Sequence, residues 1–251
     1  MTEKTFPLNE AEPGVNCPPM HPNCRSTTIA YFGDVSGKRI ARDDMGNNYY
    51  VPADMNYRDW RASLTDEQNR QMDLNLKMSR NELADREQYQ KYKEILGKNA
   101  PKSFADFQEI KYNSDNWNLL KLDYQRQNRL VNNPGLALPS ADRATAADAK
   151  FDRYLFNPDN QEGYAKGRAF TSRLGYDISN WGLLQVEVLD AAGRYPVSYK
   201  KTSIHGIAYE QKAILHGIRG FPANVIIGWL VNDDGTKMTT LYIKEPDKSD
   251  N

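Results

Sequence analysis

The sequence is poor in cysteine, histidine and long apolar runs, and its charges balance. Its 251 residues include two cysteines, three histidines, 33 basic and 33 acidic side chains. Two cysteines cannot build a disulfide framework, so a reducing, cytoplasmic setting is expected. No apolar run approaches the roughly 20 residues that span a bilayer, so no membrane partner is expected. A formal net charge of zero gives the chain as a whole no attraction to nucleic acid.

Composition and periodicity divide the chain into five segments. These are an irregular part with a predicted hairpin (residues 1–60), a helical tail (61–131), a linker by composition (132–149), a small domain (150–246) and a disordered tail (247–251). The sequence of the small domain predicts two helices followed by an antiparallel sheet, because its periodicity changes from helical to extended near Tyr195. The predicted fold class is α+β, with an irregular and helical N-terminal part.

Several elements can be placed more closely. The expected hairpin strands are 39–42 and 49–51, the expected helices of the small domain are 164–174 and 181–193, and its expected strands are 208–218, 225–231 and 238–244. A turn at Asp233-Asp234-Gly235 is expected to join the last two strands, because an Asp-Gly pair is typical of hairpin turns.

The stretch CPPMHPNCRST, residues 17–27, groups both cysteines with a histidine and three prolines. Cys17, His21 and Cys24 are candidate zinc ligands, but a structural zinc site takes four ligands. A Cys17–Cys24 disulfide would close a small loop, but the reducing cytosol would break this disulfide. The third interpretation is a proline-rich turn with partly buried thiols. No metal or other cofactor is predicted.

The residues around this stretch resemble a known family. GVNCPPMHPNCRSTTIAYFGD and, further on, GKNAPKSFADFQ are similar to the C-terminal end of phage minor head (head morphogenesis) proteins, the Mu F-like family. The resemblance covers about the first 130 residues. It implies a prophage or virion component that has capsid and portal proteins as partners and is found in the virion or the host cytoplasm. It also implies that the chain starts where the family domain is ending, as a truncated or split gene product would.

A second resemblance begins at Lys150. KFDRYLFNPDNQEGYAKGRAFTSRLGYD is similar to an uncharacterised domain family with the pattern Y-L-x-N-P-x-x-x-x-G-x-x-K-x-x-x-F-x-x-x-L-G-Y. That family occurs alone, near toxin systems and fused behind phage head proteins. Its order of helices and then sheet looks like the barnase–EndoU–colicin–RelE group of small ribonucleases. The resemblance therefore implies a metal-independent ribonuclease as an effector domain, with RNA as a partner.

Metal-free RNA cleavage needs a general base, a general acid and cations on the phosphate. The candidate catalytic residues are His216, His205, Lys212 and Lys166, and the candidate phosphate-binding residues are Arg219, Thr239 and Thr240. A regular strand places Lys212 and His216 on one sheet face, because side chains alternate, and Thr239 or Tyr242 is expected opposite them on the neighbouring strand.

Each candidate also has a plainer interpretation. His216 lies among apolar residues and fits a core or edge position, His205 fits a loop, and Lys166 fits a solvated helix face. Three functions therefore stand beside one another: a ribonuclease-like effector, a non-catalytic capsid-associated or partner-binding protein, and an immunity-type module. Convergence of the candidates on one cleft is expected of the enzyme, and scattered positions are expected of the other two.

Overall fold

A computed structural model describes residues 8–12, 15, 17, 36–42, 47–219 and 221–246. The chain divides into two compact units, Met1–Leu76 and Lys77–Asn251. Of the candidate zinc ligands, Cys17 is half-buried, whereas His21 and Cys24 lie outside the described residues. The three interpretations of residues 17–27, a zinc site, a disulfide loop and a proline-rich turn, therefore stay predictions.

The first unit contains the predicted hairpin. Strand β1 (Lys38–Arg42) pairs antiparallel with β2 (Asn48–Pro52), which confirms the hairpin. Helix α1 (Tyr57–Ser63) follows, and the Asn56 side chain accepts a hydrogen bond from the Asp59 backbone N–H at its start. Helix α2 (Asp66–Arg80) begins after a cap in which the Thr65 hydroxyl accepts from the Gln68 backbone N–H.

The helices of the second unit pack around aromatic side chains. Helices α3 (Glu82–Leu96), α4 (Phe104–Asn113) and α5 (Trp117–Asn132) bury Tyr92 and Phe107 between them. Tyr92 stacks on Tyr124 with ring centroids 4.3 Å apart. The helical character expected for residues 61–131 is confirmed by these elements.

Residues 132–149 pack on the rest of the second unit. They contain short 3-10 turns, and Leu138 and Ala146 are buried in the C-terminal core. The Thr145 backbone donates to the carbonyl of Thr236 at 2.9 Å and accepts from the Met238 N–H at 2.8 Å. The segment with linker composition thus contributes side chains to the C-terminal core. The domain boundaries themselves stay predictions.

The C-terminal part has the predicted order of helices and then an antiparallel sheet. After a π-helical turn (Phe151–Leu155) the elements are α6 (Gln161–Leu174), α7 (Trp181–Arg194), β3 (Val197–Ser203), β4 (Gly206–His216), β5 (Pro222–Asn232) and β6 (Gly235–Ile243). The sheet order is β3-β4-β5-β6. Phe170, Leu184 and Trp229 are fully buried in the core that both helices form with the sheet.

The residues that carry the second resemblance hold α6 in place. A Cβ at Gly163, the first glycine of the pattern, would overlap the backbone of the π-helical turn. The same holds for Gly167, which the pattern does not fix, so glycine at both positions lets α6 lie this close. Phe170 is fully buried, and Gly175 ends the helix with φ of 79°. The glycines and the phenylalanine of the family pattern are therefore residues that the packing of α6 requires.

Candidate functional site

The two histidines proposed as an acid–base pair lie at opposite ends of β4. His205 is in the turn between β3 and β4, and His216 is the last residue of β4, which has 11 residues. At about 3.3 Å per residue, the strand separates them by roughly 30 Å. No single substrate phosphate can contact both.

The other candidates are dispersed as well. Lys212 and His216 share the sheet face that lies away from the core residues Ala213 and Leu215, as predicted. The expectation that Thr239 or Tyr242 faces them from the neighbouring strand is wrong, because β5 lies between β4 and β6. Lys212 pairs with Ile226, and Ile226 pairs in turn with Tyr242, at about 5 Å per strand step.

Three further candidates lie elsewhere on the domain. Thr240 lies beside Gly228 on the β5–β6 ladder, and Thr239 is exposed next to it. Arg219 is exposed in the loop that follows β4. Arg219 follows Ile218, whose backbone N–H donates to the Leu174 carbonyl at the end of α6, whereas Lys166 lies about two turns earlier on that helix.

Lys166 makes structural contacts on the surface of α6. Its Nζ lies 2.7 Å from Glu162 Oε1 and 2.9 Å from the Tyr154 hydroxyl, and it lies above the Tyr154 ring. Glu162 and Tyr154 raise the pKa of Lys166, because both stabilise the charged amine. The lysine of the family pattern thus ties α6 to the π-helical turn.

His216 has a partner that the sequence did not predict. Its Nε2 lies 3.2 Å from Asp123 Oδ2 on α5, and the Asp123 side chain has no exposed surface. Asp123 Oδ1 accepts hydrogen bonds from the Tyr195 hydroxyl and from Gln127 Nε2, both at 2.6 Å. The only sequence signal was position: Asp123 follows Leu119 by one helical turn, on the apolar side of α5.

The remaining polar groups of this network hold its members in place. Gln127 Oε1 accepts from Arg194 at 3.2 Å, and the Tyr195 hydroxyl also lies 2.8 Å from the Ile214 carbonyl oxygen. Burial, and then the nearby Asp123 carboxylate, raise the pKa of Tyr195 well above its ordinary value. Tyr195 therefore stays a neutral donor, which a buried carboxylate requires.

His216 also lines a cavity of about 560 Å³. Its walls come from the loop after α3, the first turns of α4 and α5, and the adjoining ends of β4 and β5. The lining residues include Lys98, Lys102, Asn116, Leu120, Ile214 and Pro222. The side chain of His216 is 24% exposed, so its ring lies between the buried carboxylate and this cavity.

Within the described ranges, no group of three or more His, Cys, Asp or Glu side chains could hold a metal ion. In that same part of the chain, no helix is both long and apolar enough to cross a membrane.

Comparison with known proteins adds a family match for the C-terminal part. Residues 137–245 match the family described as domain of unknown function (DUF6883). The match begins inside the segment that has linker composition, in line with the packing of that segment on the sheet. No curated protein matches the sequence.

One solved structure shows a limited likeness. A chain of a contact-dependent growth inhibition toxin–immunity protein complex from Klebsiella pneumoniae 342 is 20% identical, with a TM-score of 0.34. The match covers 39% of this chain and 98% of that chain. A likeness of this size carries no argument about fold or function.

Proposed function

We propose that the C-terminal part is a protein-binding domain of the immunity type, which acts in a toxin-associated system and does not cleave RNA. The dispersal of the candidate residues supports this most. A general acid and a general base must both reach the reacting phosphate, and the distance between His205 and His216 prevents it. Lys166 is held in an ion pair with Glu162 on α6.

An apolar surface on α7 supports the binding of a protein partner. Leu183 is 55% exposed and Val186 is 60% exposed. Residues three apart on a helix lie on the same face, so the two side chains are neighbours. Ile178, just before the helix, is exposed to a similar extent. Grouped exposed apolar side chains mark protein interaction sites, and we place the partner contact here.

The origin of the chain in a phage minor head protein rests on the resemblance of residues 1–131 alone. Capsid and portal proteins are predicted partners of that part only. The family match begins at residue 137 and does not reach it.

Co-expression with the products of the genes adjacent to the one that encodes this chain tests the proposal. We expect one of them to co-purify with the full chain and to lose its toxicity. Changing Leu183→Glu together with Val186→Glu should weaken this complex about 30-fold or more, because buried apolar anchors carry most of the binding energy. The matched control is Ile204→Glu, which alters an equally apolar side chain that is 97% exposed in the β3–β4 turn.

The affinity of each variant is measured by titration calorimetry. If no neighbouring product binds, the immunity proposal is wrong. If the control weakens binding as much as the double variant, the α7 surface is not the contact.

A further inference from the structure

The cavity beside His216 has the composition of a small-molecule site. Its volume of about 560 Å³ falls in the range of ligand pockets, roughly 300 to 1,000 Å³. Much of its wall is apolar, formed by Ala100, Pro101, Ile110, Leu120, Ile214 and Pro222. A mainly apolar wall with few polar groups favours a ligand with an apolar body.

The charges of the lining favour an uncharged ligand. Two lysines, Lys98 and Lys102, are balanced by Asp106 and Glu109. Both carboxylates already have donors, because Asp106 accepts from the backbone of Ser103 and Glu109 accepts from Asn113 at 2.6 Å. An anion or a cation would therefore meet no net opposite charge inside the cavity.

His216 supplies a fixed hydrogen-bond acceptor. A carboxylate only accepts hydrogen bonds, so Asp123 favours the tautomer that carries its hydrogen on Nε2. The carboxylate cannot turn away, because Tyr195 and Gln127 also donate to it. The other ring nitrogen, Nδ1, has no hydrogen-bond partner among the described residues and is left as an acceptor for a ligand.

Asn116 adds a second polar contact at the cavity wall. It is the N-cap residue of α5, yet its side chain makes no capping hydrogen bond. Its amide can therefore donate to, or accept from, a bound molecule.

We propose that this cavity binds a small uncharged molecule with an apolar body and a hydroxyl group, which donates a hydrogen bond to Nδ1 of His216. The inference does not depend on the immunity proposal, because the cavity and the α7 surface share no residue. Asp123 acts here as a positioning residue that sets the imidazole tautomer.

Nitrogen NMR of the histidine side chains in the full chain, titrated with phenol, tests this. The free protein should show His216 as the Nε2–H tautomer, and phenol should shift its ring signals. Toluene, which lacks the hydroxyl, should bind about 3- to 10-fold more weakly, which is the loss expected for one neutral hydrogen bond. Benzoate should also bind more weakly than phenol.

Two variants and a control sharpen the test. His216→Gln should reduce phenol binding to the level of toluene, Ile110→Trp should abolish it by filling the cavity, and His205→Gln should leave it unchanged. An Nδ1–H tautomer in the free protein would overturn the proposal. So would absence of phenol binding, or equal affinities for phenol and toluene.

Discussion

Asp123→Ala should lower the free energy of unfolding by about 3 to 5 kcal/mol at neutral pH, because three donors lose hydrogen bonds to one buried carboxylate and each such bond contributes about 1.5 to 3 kcal/mol. The carboxylate has no exposed surface and receives hydrogen bonds from Tyr195 and Gln127. Without it, His216 Nε2 loses its acceptor inside the protein and Gln127 keeps only the longer bond to the Tyr195 hydroxyl at 3.2 Å. A buried donor without a partner costs about 1 to 3 kcal/mol. Denaturant titration of the full chain measures the change.

The matched control for this variant is Asp115→Ala. Asp115 is exposed in the short connection between α4 and α5. Its loss should change the free energy of unfolding by no more than about 0.5 kcal/mol. A loss below about 1 kcal/mol for Asp123→Ala would show that the buried network does not join α5 to the sheet.

Gly167→Ala should be the second most damaging change, with a loss of about 2 to 4 kcal/mol. The added methyl group would overlap the carbonyl group of Leu155 in the π-helical turn. Because that contact is with backbone, α6 would have to move away and would withdraw Phe170 from the core. Thermal and denaturant unfolding of the full chain both report the loss.

Gly182→Ala is the control for the effect of alanine in a helix. A Cβ at Gly182 meets nothing within 4 Å, and the residue lies in the first turn of α7. Alanine there should leave the stability unchanged or raise it by up to about 1 kcal/mol, because glycine has a poor helix propensity. Equal effects of the two substitutions would contradict the packing of α6 on the π-helical turn.

The helices and most strands of the C-terminal part could be predicted because their sequences carry strong periodicity or turn chemistry. The run of apolar residues in β5 and the turn at Asp233-Asp234-Gly235 are examples. Strand β3 was not predicted. Its sequence, VSYKKTS, is polar and mostly exposed, with an irregularity between Tyr199 and Lys201, and lysines are typical of an edge strand.

The candidate site could not be predicted, because its two main members lie on different elements far apart in the chain. Asp123 is on α5 and His216 is on β4, 93 residues later. The rule of alternation correctly placed Lys212 and His216 on one face, but it cannot tell how strands are ordered in a sheet. It also cannot show that α5 supplies a carboxylate to that face.

The most direct test of the central claim, that the C-terminal part binds a partner and does not cleave RNA, is an RNA cleavage measurement. The full chain and its His216→Ala variant are incubated with total tRNA in EDTA, and the products are separated on a denaturing gel. The proposed function predicts intact RNA with both proteins, while circular dichroism shows that both are folded. Discrete cleavage by the unchanged protein that is lost in His216→Ala would contradict it and establish a ribonuclease.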